Sequence, residues 1–194
     1  MDEDGGNQVL VRPATAVDVP AMAALINSYA AQNLMLPRSA EQLMQHLPSF
    51  VVAERDGKII GCAGLARLSP DLAEVRSLAV AADQQGRGVG RALVNYLLQA
   101  ARAIGIPQVC ALTLRPDFFT ALGFRVVDRW DISPKLWQEC IYCSKFHRCD
   151  EIAVLLNLEE MRPVDETAPR RNGFVGATTS PAWQRAFAAV LGKR

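Results

Sequence analysis

The sequence has no excess of charge of either sign, no long hydrophobic run and no pattern of a cleaved leader. Lysine and arginine total 21 against 20 aspartate and glutamate residues, so the overall charge gives no general attraction to nucleic acid or to an anionic membrane. The apolar runs are too short to span a bilayer, and no basic and apolar leader with a small-residue cleavage site can be recognised. We therefore expect a cytoplasmic protein that binds neither nucleic acid nor membrane.

Cysteine is too sparse and too unevenly placed for a secreted disulfide framework. The count of five is odd, and three of them crowd into ten residues as Cys140, Cys143 and Cys149. With His147 they supply four soft-metal ligands, but a zinc site usually draws its second pair from a separate turn. We expect no bound metal and a structural role for this cluster, with zinc binding and a redox-sensitive pair as alternatives.

The composition is that of one globular domain with extensions. The chain has 194 residues, half of them apolar, which is enough to bury the core of a domain of about 150 residues. We expect a disordered tail over residues 1–8, one domain over 9–160, and a linker over 161–194 that ends in a helix at Pro181–Leu191.

Local signals predict the elements of the domain. Helix-starting boxes lie at Thr15–Asp18 and Ser39–Gln42, and Asp56-Gly57 joins two strands as a hairpin. A strand, a glycine turn, a helix and a strand then follow in succession, which predicts a crossover between two parallel strands. The predicted strands cover residues 9–11, 50–54, 59–65, 74–80, 109–114, 125–128 and 151–158.

A glycine-rich turn, Gln85–Gly90, stands between a predicted strand and a predicted helix. Alternate glycines let successive backbone amides converge on an anion, and the helix N-terminus adds partial positive charge. Arg87 and Arg91 can add charge-assisted hydrogen bonds. The spacing fits neither a dinucleotide fingerprint nor a P-loop, so the turn predicts a different pyrophosphate site.

The glycine turn has the pattern Gln85-x-x-Gly88-x-Gly90. It follows the segment Leu78–Val80 and precedes Phe119-x-x-x-Gly123-Phe124. Together these motifs resemble the acetyl-CoA loop of the GNAT superfamily. The resemblance implies an α/β (α+β) fold, with a central mixed, mostly antiparallel twisted sheet, a splayed parallel strand pair and helices on both faces. Acetyl-CoA is the implied co-substrate. The implied residues that bind it are Leu78, Ala79, Val80, Gln85, Gly86, Arg87, Gly88, Val89, Gly90, Arg91 and Phe119.

Three further segments, Asn33–Ser39, Leu112–Arg115 and Pro134–Phe146, resemble the short N-acetylglutamate synthases of arginine biosynthesis, which lack a kinase domain. The implied acceptor is the α-amino group of L-glutamate or a related amino acid. Two carboxylates on one acceptor call for at least two arginine forks, although each cation has a solvated surface charge as its alternative. The implied substrate-binding residues are Leu36, Arg38, Arg76, Arg115 and Lys145.

Glu74 stands at the strand position where these enzymes place a general base, with a surface carboxylate on an edge strand as its alternative. In a regular strand Glu74, Arg76 and Leu78 point to one side. Many GNAT enzymes carry a tyrosine acid where this chain has Phe119, so Thr113 is the nearest polar group to assist the leaving thiolate. The resemblance implies direct transfer in a ternary complex, with a backbone amide of Leu78–Val80 stabilising the developing oxyanion.

Two other functions remain as alternatives. The same fold can acetylate a different amino acid, a polyamine or a protein N-terminus, but a polyamine would favour acidic groups where Arg38 and Arg115 lie. A non-catalytic acyl-CoA-binding regulator would need no general base, and Glu74 speaks against it. A homodimer is also left open.

Overall fold

The computed structural model describes residues 9–138, 140–143, 146–159 and, for the backbone alone, 174–176. The predicted N-terminal tail, Lys145 and the predicted helix Pro181–Leu191 lie outside these residues.

The described chain alternates short strands with helices. The strands are β1 (Val9–Pro13), β2 (Phe50–Arg55), β3 (Lys58–Arg67), β4 (Leu72–Val80), β5 (Gln108–Thr113), β6 (Arg125–Val126), β7 (Ile152–Asn157) and β8 (Phe174–Gly176). The α-helices are α1 (Val19–Ala30), α2 (Ala40–Gln45), α3 (Val89–Ala103), α4 (Pro116–Thr120) and α5 (Ser133–Gln138). Short 3₁₀ helices cover Ala16–Asp18, Leu47–Ser49, Ala82–Gln84, Arg129–Ile132, Cys140–Tyr142 and Phe146–Arg148. None of the helices described is long and apolar enough to cross a membrane.

Within the described residues the eight strands form one sheet in the order β6-β7-β5-β4-β3-β2-β1-β8. β4 and β5 are parallel, as the crossover predicts, and most other neighbours are antiparallel. β8 is a correction to the predicted linker, because this short strand pairs in parallel with β1. The predicted mixed and mostly antiparallel sheet is confirmed.

Helices cover both faces of the sheet. Alternate residues of a strand point to opposite faces, and both faces carry apolar side chains that pack against helices. In β2, Val51 and Ala53 join the core under α3. Phe50 and Val52 point the other way and pack with Met22 of α1 and Leu43 of α2. The resulting three layers match the predicted arrangement of helices on both faces.

The local signals for turns and helix starts are borne out at the atomic level. Asp56 and Gly57 both have positive φ, at 50° and 71°, which is the conformation of a two-residue type I′ hairpin. At the start of α2, Ser39 Oγ accepts a hydrogen bond from the amide of Gln42, and Gln42 Oε1 accepts one from the amide of Ser39.

β4 is not a regular strand, and this corrects the predicted alternation of its side chains. Ser77 has a left-handed φ of 52°, and the register with β3 shifts at this point. An extra residue in one strand reverses the facing of the residues that follow it. Leu78 therefore packs toward the α3 core, whereas Ala79 packs toward α1.

The parallel pair opens as the strands advance. β4 and β5 are paired from Leu72 with Gln108 to Glu74 with Cys110, although both strands continue beyond that point. The later residues of β4 and β5 therefore face a cleft instead of each other. This cleft is the splayed pair expected from the sequence.

Candidate active site

A cavity of about 630 Å³ occupies the cleft between β4 and β5 and extends to the glycine turn and the loop between α1 and α2. Most of the predicted site residues line it. They are Leu36, Arg38, Glu74, Arg76, Leu78, Ala79, Val80, Gln85, Gly86, Gly88, Val89, Gly90, Arg91, Thr113, Arg115 and Phe119. Arg87 is exposed and is not among the lining residues, and Lys145 lies outside the described residues.

The glycine turn has the backbone that an anion site requires. Gly86 and Gly88 have φ of 72° and 83°, a region that other residues rarely adopt. Gly88 is the N-cap of α3, so the turn leads directly into the free amides and the positive dipole end of a four-turn helix. A Cβ at Gly90 would lie 3.3 Å from the ring of Phe118. The turn therefore fits a pyrophosphate held close to the backbone.

Tyr29 connects this turn to α1, a role that was not predicted, because the spacing of Tyr29 predicted only a buried helix face. Its hydroxyl donates a hydrogen bond to the carbonyl of Val80 and accepts one from Gln85 Nε2 at 2.7 Å. A tyrosine at the end of an apolar helix stripe needs a partner for its hydroxyl. That need is the signal that could have pointed to this contact.

Glu74 is deeply buried and lies in an ion pair. Its side chain is 5% exposed, and its Oε2 lies 2.9 Å from Nζ of Lys135, which is 10% exposed. The alternative of a surface carboxylate on an edge strand is wrong, since β4 lies between β3 and β5. Lys135 lies on α5, some sixty residues after Glu74 in the chain, and no local sequence pattern predicts such a partner.

Thr113 and Arg115 are coupled where β5 ends. Thr113 is buried, and its Oγ1 accepts a hydrogen bond from the amide of Arg115 at 2.9 Å. The hydroxyl proton of Thr113 is therefore free to point elsewhere. Phe119 packs edge-on against Phe118 and Phe124, with centroids 5.1 Å and 5.2 Å apart, and so forms part of an aromatic wall.

The loop between α1 and α2 holds Arg38 by its backbone. Asn27 Nδ2 donates to the carbonyl of Arg38 at 2.9 Å, and the amide of Arg38 donates to Asn27 Oδ1 at 3.1 Å. This reciprocal pair fixes the loop against α1, and Arg38 lines the cavity.

Cations outnumber anions among the described residues that line the cavity. The cations are Arg38, Arg76, Arg91, Arg115, Arg129 and Lys135, and the anions are Glu74 and Glu151. A concave surface with an excess of one sign raises the local concentration of ligands of the opposite sign. The cavity is therefore suited to anionic ligands, although the whole chain is close to neutral.

The three clustered cysteines also line this cavity, although the sequence predicted only a structural role for them. Burial raises the pKa of the Cys140 thiol, and the charge of Lys135 opposes that effect. His147 is not a lining residue and lies edge-on against Phe146. Among the described residues, no group of three or more His, Cys, Asp or Glu side chains is placed to hold a metal ion.

Comparison with known proteins places this geometry among acetyltransferases. Residues 20–124 match the model of the Acetyltransferase (GNAT) family. An amino-acid acetyltransferase of Mycobacterium tuberculosis is 35% identical over 157 residues, which cover 79% of this chain and 87% of the relative.

Two solved structures share the fold. A structure from Mycobacterium tuberculosis in complex with CoA has a TM-score of 0.67 and 32% identity, covering 76% of this chain and 98% of that one. N-acetylglutamate synthase from Neisseria gonorrhoeae, complexed with coenzyme A and N-acetyl-glutamate, has a TM-score of 0.68 and 29% identity. That comparison covers 77% of this chain and 35% of the synthase, so the chain corresponds to about a third of that protein.

Proposed function

The chain belongs to the GNAT family of acetyltransferases, and we propose that its acetyl acceptor is the α-amino group of L-glutamate. As a member of this family it is an N-acetyltransferase that uses acetyl-CoA. The proposed product is N-acetyl-L-glutamate, the first intermediate of arginine synthesis, formed by direct transfer in a ternary complex.

The observation that carries the proposal is a buried carboxylate in a cavity with a cationic lining. Glu74 lies where β4 and β5 separate, beside the segment and the turn that would hold acetyl-CoA. Arg38 and Arg115 line the same cavity, and guanidinium forks match carboxylates in geometry and charge. An acceptor with one ammonium and two carboxylates suits this set of groups.

Each group has a proposed task. Leu78–Val80 and the turn Gln85–Gly90 would hold acetyl-CoA, which supplies an activated acetyl thioester when bound. Glu74 would take a proton from the acceptor ammonium, directly or through water. Thr113 would donate a hydrogen bond toward the departing thiolate.

Relatives support the choice of acceptor. The similar protein of Mycobacterium tuberculosis is named an amino-acid acetyltransferase, and the similar synthase of Neisseria gonorrhoeae was solved with N-acetyl-glutamate. Arg38, Arg76, Arg115 and Lys145 are the cations that we propose for the acceptor carboxylates, of which Lys145 lies outside the described residues.

Release of CoA thiol from acetyl-CoA in the presence of a panel of amino acids and polyamines tests the proposal. We expect the highest kcat/KM with L-glutamate. If L-glutamate releases no more thiol than buffer while another amino acid does, the acceptor is wrong. If no amine in the panel increases thiol release above the buffer level, the assignment of Glu74 as a base is also rejected.

The variant Glu74→Gln tests the base. We expect turnover to fall by about 10²-fold or more, the usual contribution of a general base. The loss should be greatest at low pH, where little acceptor is present as free amine. Acetyl-CoA affinity, measured by calorimetry, should stay the same, and an unchanged turnover would remove Glu74 from the mechanism.

A further inference from the structure

The position of Lys135 is unexpected if Glu74 acts as a base. Its Nζ lies 2.9 Å from Glu74 Oε2, and both side chains are almost fully buried. An ammonium at this distance stabilises the charged carboxylate and so opposes its protonation. Burying the pair is also costly, because both charges lose their hydration. A side chain that weakens the base at such a cost needs a role of its own.

The acceptor itself can relieve this opposition. An α-amino acid carries an ammonium and a carboxylate on the same carbon, so it brings two opposite charges that are close together. Glu74 and Lys135 present the complementary two charges, also close together, and both line the cavity. Once the ammonium of Lys135 is shared with a second anion, it stabilises Glu74 less.

We propose that Lys135 is a specificity-determining residue that binds the α-carboxylate of the acceptor, so that Glu74 and Lys135 together recognise the zwitterionic end of an α-amino acid. This inference rests on the proposed function only in taking an α-amino acid as the acceptor. The acceptor ammonium contacts Glu74, its α-carboxylate contacts Lys135, and one ion pair becomes an array of four alternating charges.

The geometry assigns Lys135 to the α-carboxylate and not to the side-chain carboxylate of glutamate. Because the amine must reach Glu74, the nearest anion of the acceptor is the one on the same carbon. The side-chain carboxylate is separated from that carbon by two methylene groups. It is left to the other cations of the cavity, among them Arg38 and Arg115.

One consequence is selection against simple amines. An amine without an α-carboxylate leaves Lys135 in its ion pair with Glu74, which continues to stabilise the charged carboxylate. Such an amine also brings a second cation next to Lys135, which is unfavourable in a buried site. The pair therefore excludes polyamines, whatever the arginines of the cavity do.

Three acceptors distinguish binding of the α-carboxylate from binding of the side-chain carboxylate. They are L-glutamate, L-glutamine, which lacks the side-chain carboxylate, and the α-amide of L-glutamate, which keeps it. In Lys135→Met we expect kcat/KM for acceptors with an α-carboxylate to fall by about 10²-fold, the cost of removing one partner of a buried charge pair. For the α-amide we expect kcat/KM not to fall, since that contact is already absent and Lys135 no longer opposes protonation of Glu74. An equal fall for all acceptors would overturn the inference, because Lys135 would then only support Glu74.

A second test, by ligand binding, is needed if Lys135→Met does not fold because buried Glu74 has lost the ammonium of Lys135. Glu74→Gln and Glu74→Gln/Lys135→Met can be compared, the second having no charge at either position. Titrated with acceptor in the presence of CoA, the double variant should bind L-glutamate about 10²-fold more weakly than the single variant. Equal binding of L-glutamate by the two variants would overturn the inference.

Failure of the proposed function is distinguishable from failure of this inference. If the wild-type protein acetylates an amino acid other than glutamate, the same comparison uses that amino acid and its α-amide. If Lys135→Met then lowers kcat/KM only for the free acid, the role of Lys135 is supported. Only the choice of glutamate as the acceptor is rejected. If the wild-type protein acetylates the α-amide as readily as the free acid, the role of Lys135 is rejected.

Discussion

Gly86 and Gly105 have nearly the same positive φ and lie at opposite ends of α3. Their φ angles are 72° and 74°, and a Cβ at either position would meet no atom within 4 Å. Gly86 belongs to the turn before α3, whereas Gly105 follows its end. An alanine at either site is therefore strained by the positive φ and meets no steric clash.

The two alanine variants should therefore lose similar stability but differ in their affinity for acetyl-CoA. Gly86→Ala and Gly105→Ala should each lower the free energy of unfolding by roughly 1 kcal/mol, the cost of a left-handed conformation for an L-residue. Only Gly86→Ala should weaken acetyl-CoA binding, by about tenfold or more, because its amide belongs to the proposed anion site. Thermal unfolding and calorimetry measure the two effects. Equal acetyl-CoA affinity in the two variants would contradict a role for the turn.

At the level of secondary-structure elements, the hydroxyl of Tyr29 links α1 to the proposed acetyl-CoA segment Leu78–Val80 and to the glycine turn. Tyr29 contacts both the end of β4, at Val80, and the turn, at Gln85. These hydrogen bonds hold the turn in place relative to β4. Because the aromatic ring would still pack without the hydroxyl, the link can be removed with little loss of core.

Tyr29→Phe should therefore lower acetyl-CoA affinity by about 5- to 10-fold, the equivalent of one or two neutral hydrogen bonds. The KM of the acceptor, measured at saturating acetyl-CoA, should change little. Tyr142→Phe is the matched control, because Tyr142 is 81% exposed. A loss of acceptor affinity that equals the loss of acetyl-CoA affinity would show that α1 positions the whole site instead.

A second link between elements is electrostatic. Arg12 of β1 lies 2.7 Å from Asp18, at the start of α1, and 2.7 Å from Glu54 of β2. The hydrogen bond from Arg12 lowers the pKa of Asp18 to about 2, and hydrogen bonds from Thr15 add to the effect. The carboxylate thus connects the first strand to the first helix.

A lowered pKa in the folded state stabilises the fold above the unfolded pKa of Asp18, and that stabilisation is lost as the pH falls. At pH 7 the contribution of Asp18 is roughly 2 kcal/mol, so Asp18→Asn should be destabilised by about that amount. The difference from wild type should shrink between pH 4 and pH 2, as measured by denaturant unfolding across that range. Asp71→Asn, at an exposed carboxylate, is the control. A difference that does not depend on pH would mean that the ion pair contributes nothing.

For the molecule as a whole, the features predictable from sequence are those encoded by neighbours in the chain. Asp56-Gly57 specifies its turn because both positions need positive φ, and Ser39 and Gln42 specify a helix start because they bond each other's amides. Ser77 carries no such signal, since serine has no preference for the left-handed region. Its conformation follows from the pairing of β4 with β3, which no local pattern encodes.

The same limit applies to the active site. The glycine turn is contiguous, and its geometry could be predicted from residues 85–90. The partner of Glu74 could not, because Lys135 arrives from a helix inserted between β6 and β7. Tertiary packing alone decides which lysine meets a buried carboxylate. The sequence therefore predicts the backbone of the glycine turn better than it predicts the surroundings of Glu74.

The sheet also has a strand that lies within the predicted linker. β8 pairs with β1 through Val9 with Phe174, Leu10 with Val175 and Val11 with Gly176. Without β8 the outer side of β1 would present unpaired amides and carbonyls, and an exposed edge of this kind promotes association between molecules.

Two shortened chains test the contribution of β8, one ending after Gly176 and one after Glu159. The shorter chain should unfold about 2–4 °C earlier, which corresponds to roughly 1 kcal/mol in a protein of this size, and should associate more strongly in sedimentation. Val175→Pro in the full chain removes a β8 amide without shortening the chain, and should reproduce part of the effect. Since β8 lies at the opposite end of the sheet from β6 and β7, the Lys135–Glu74 pair should be unaffected, and the KM of the acceptor should stay constant. Identical unfolding and sedimentation of the two shortened chains would mean that β1 is a stable edge by itself.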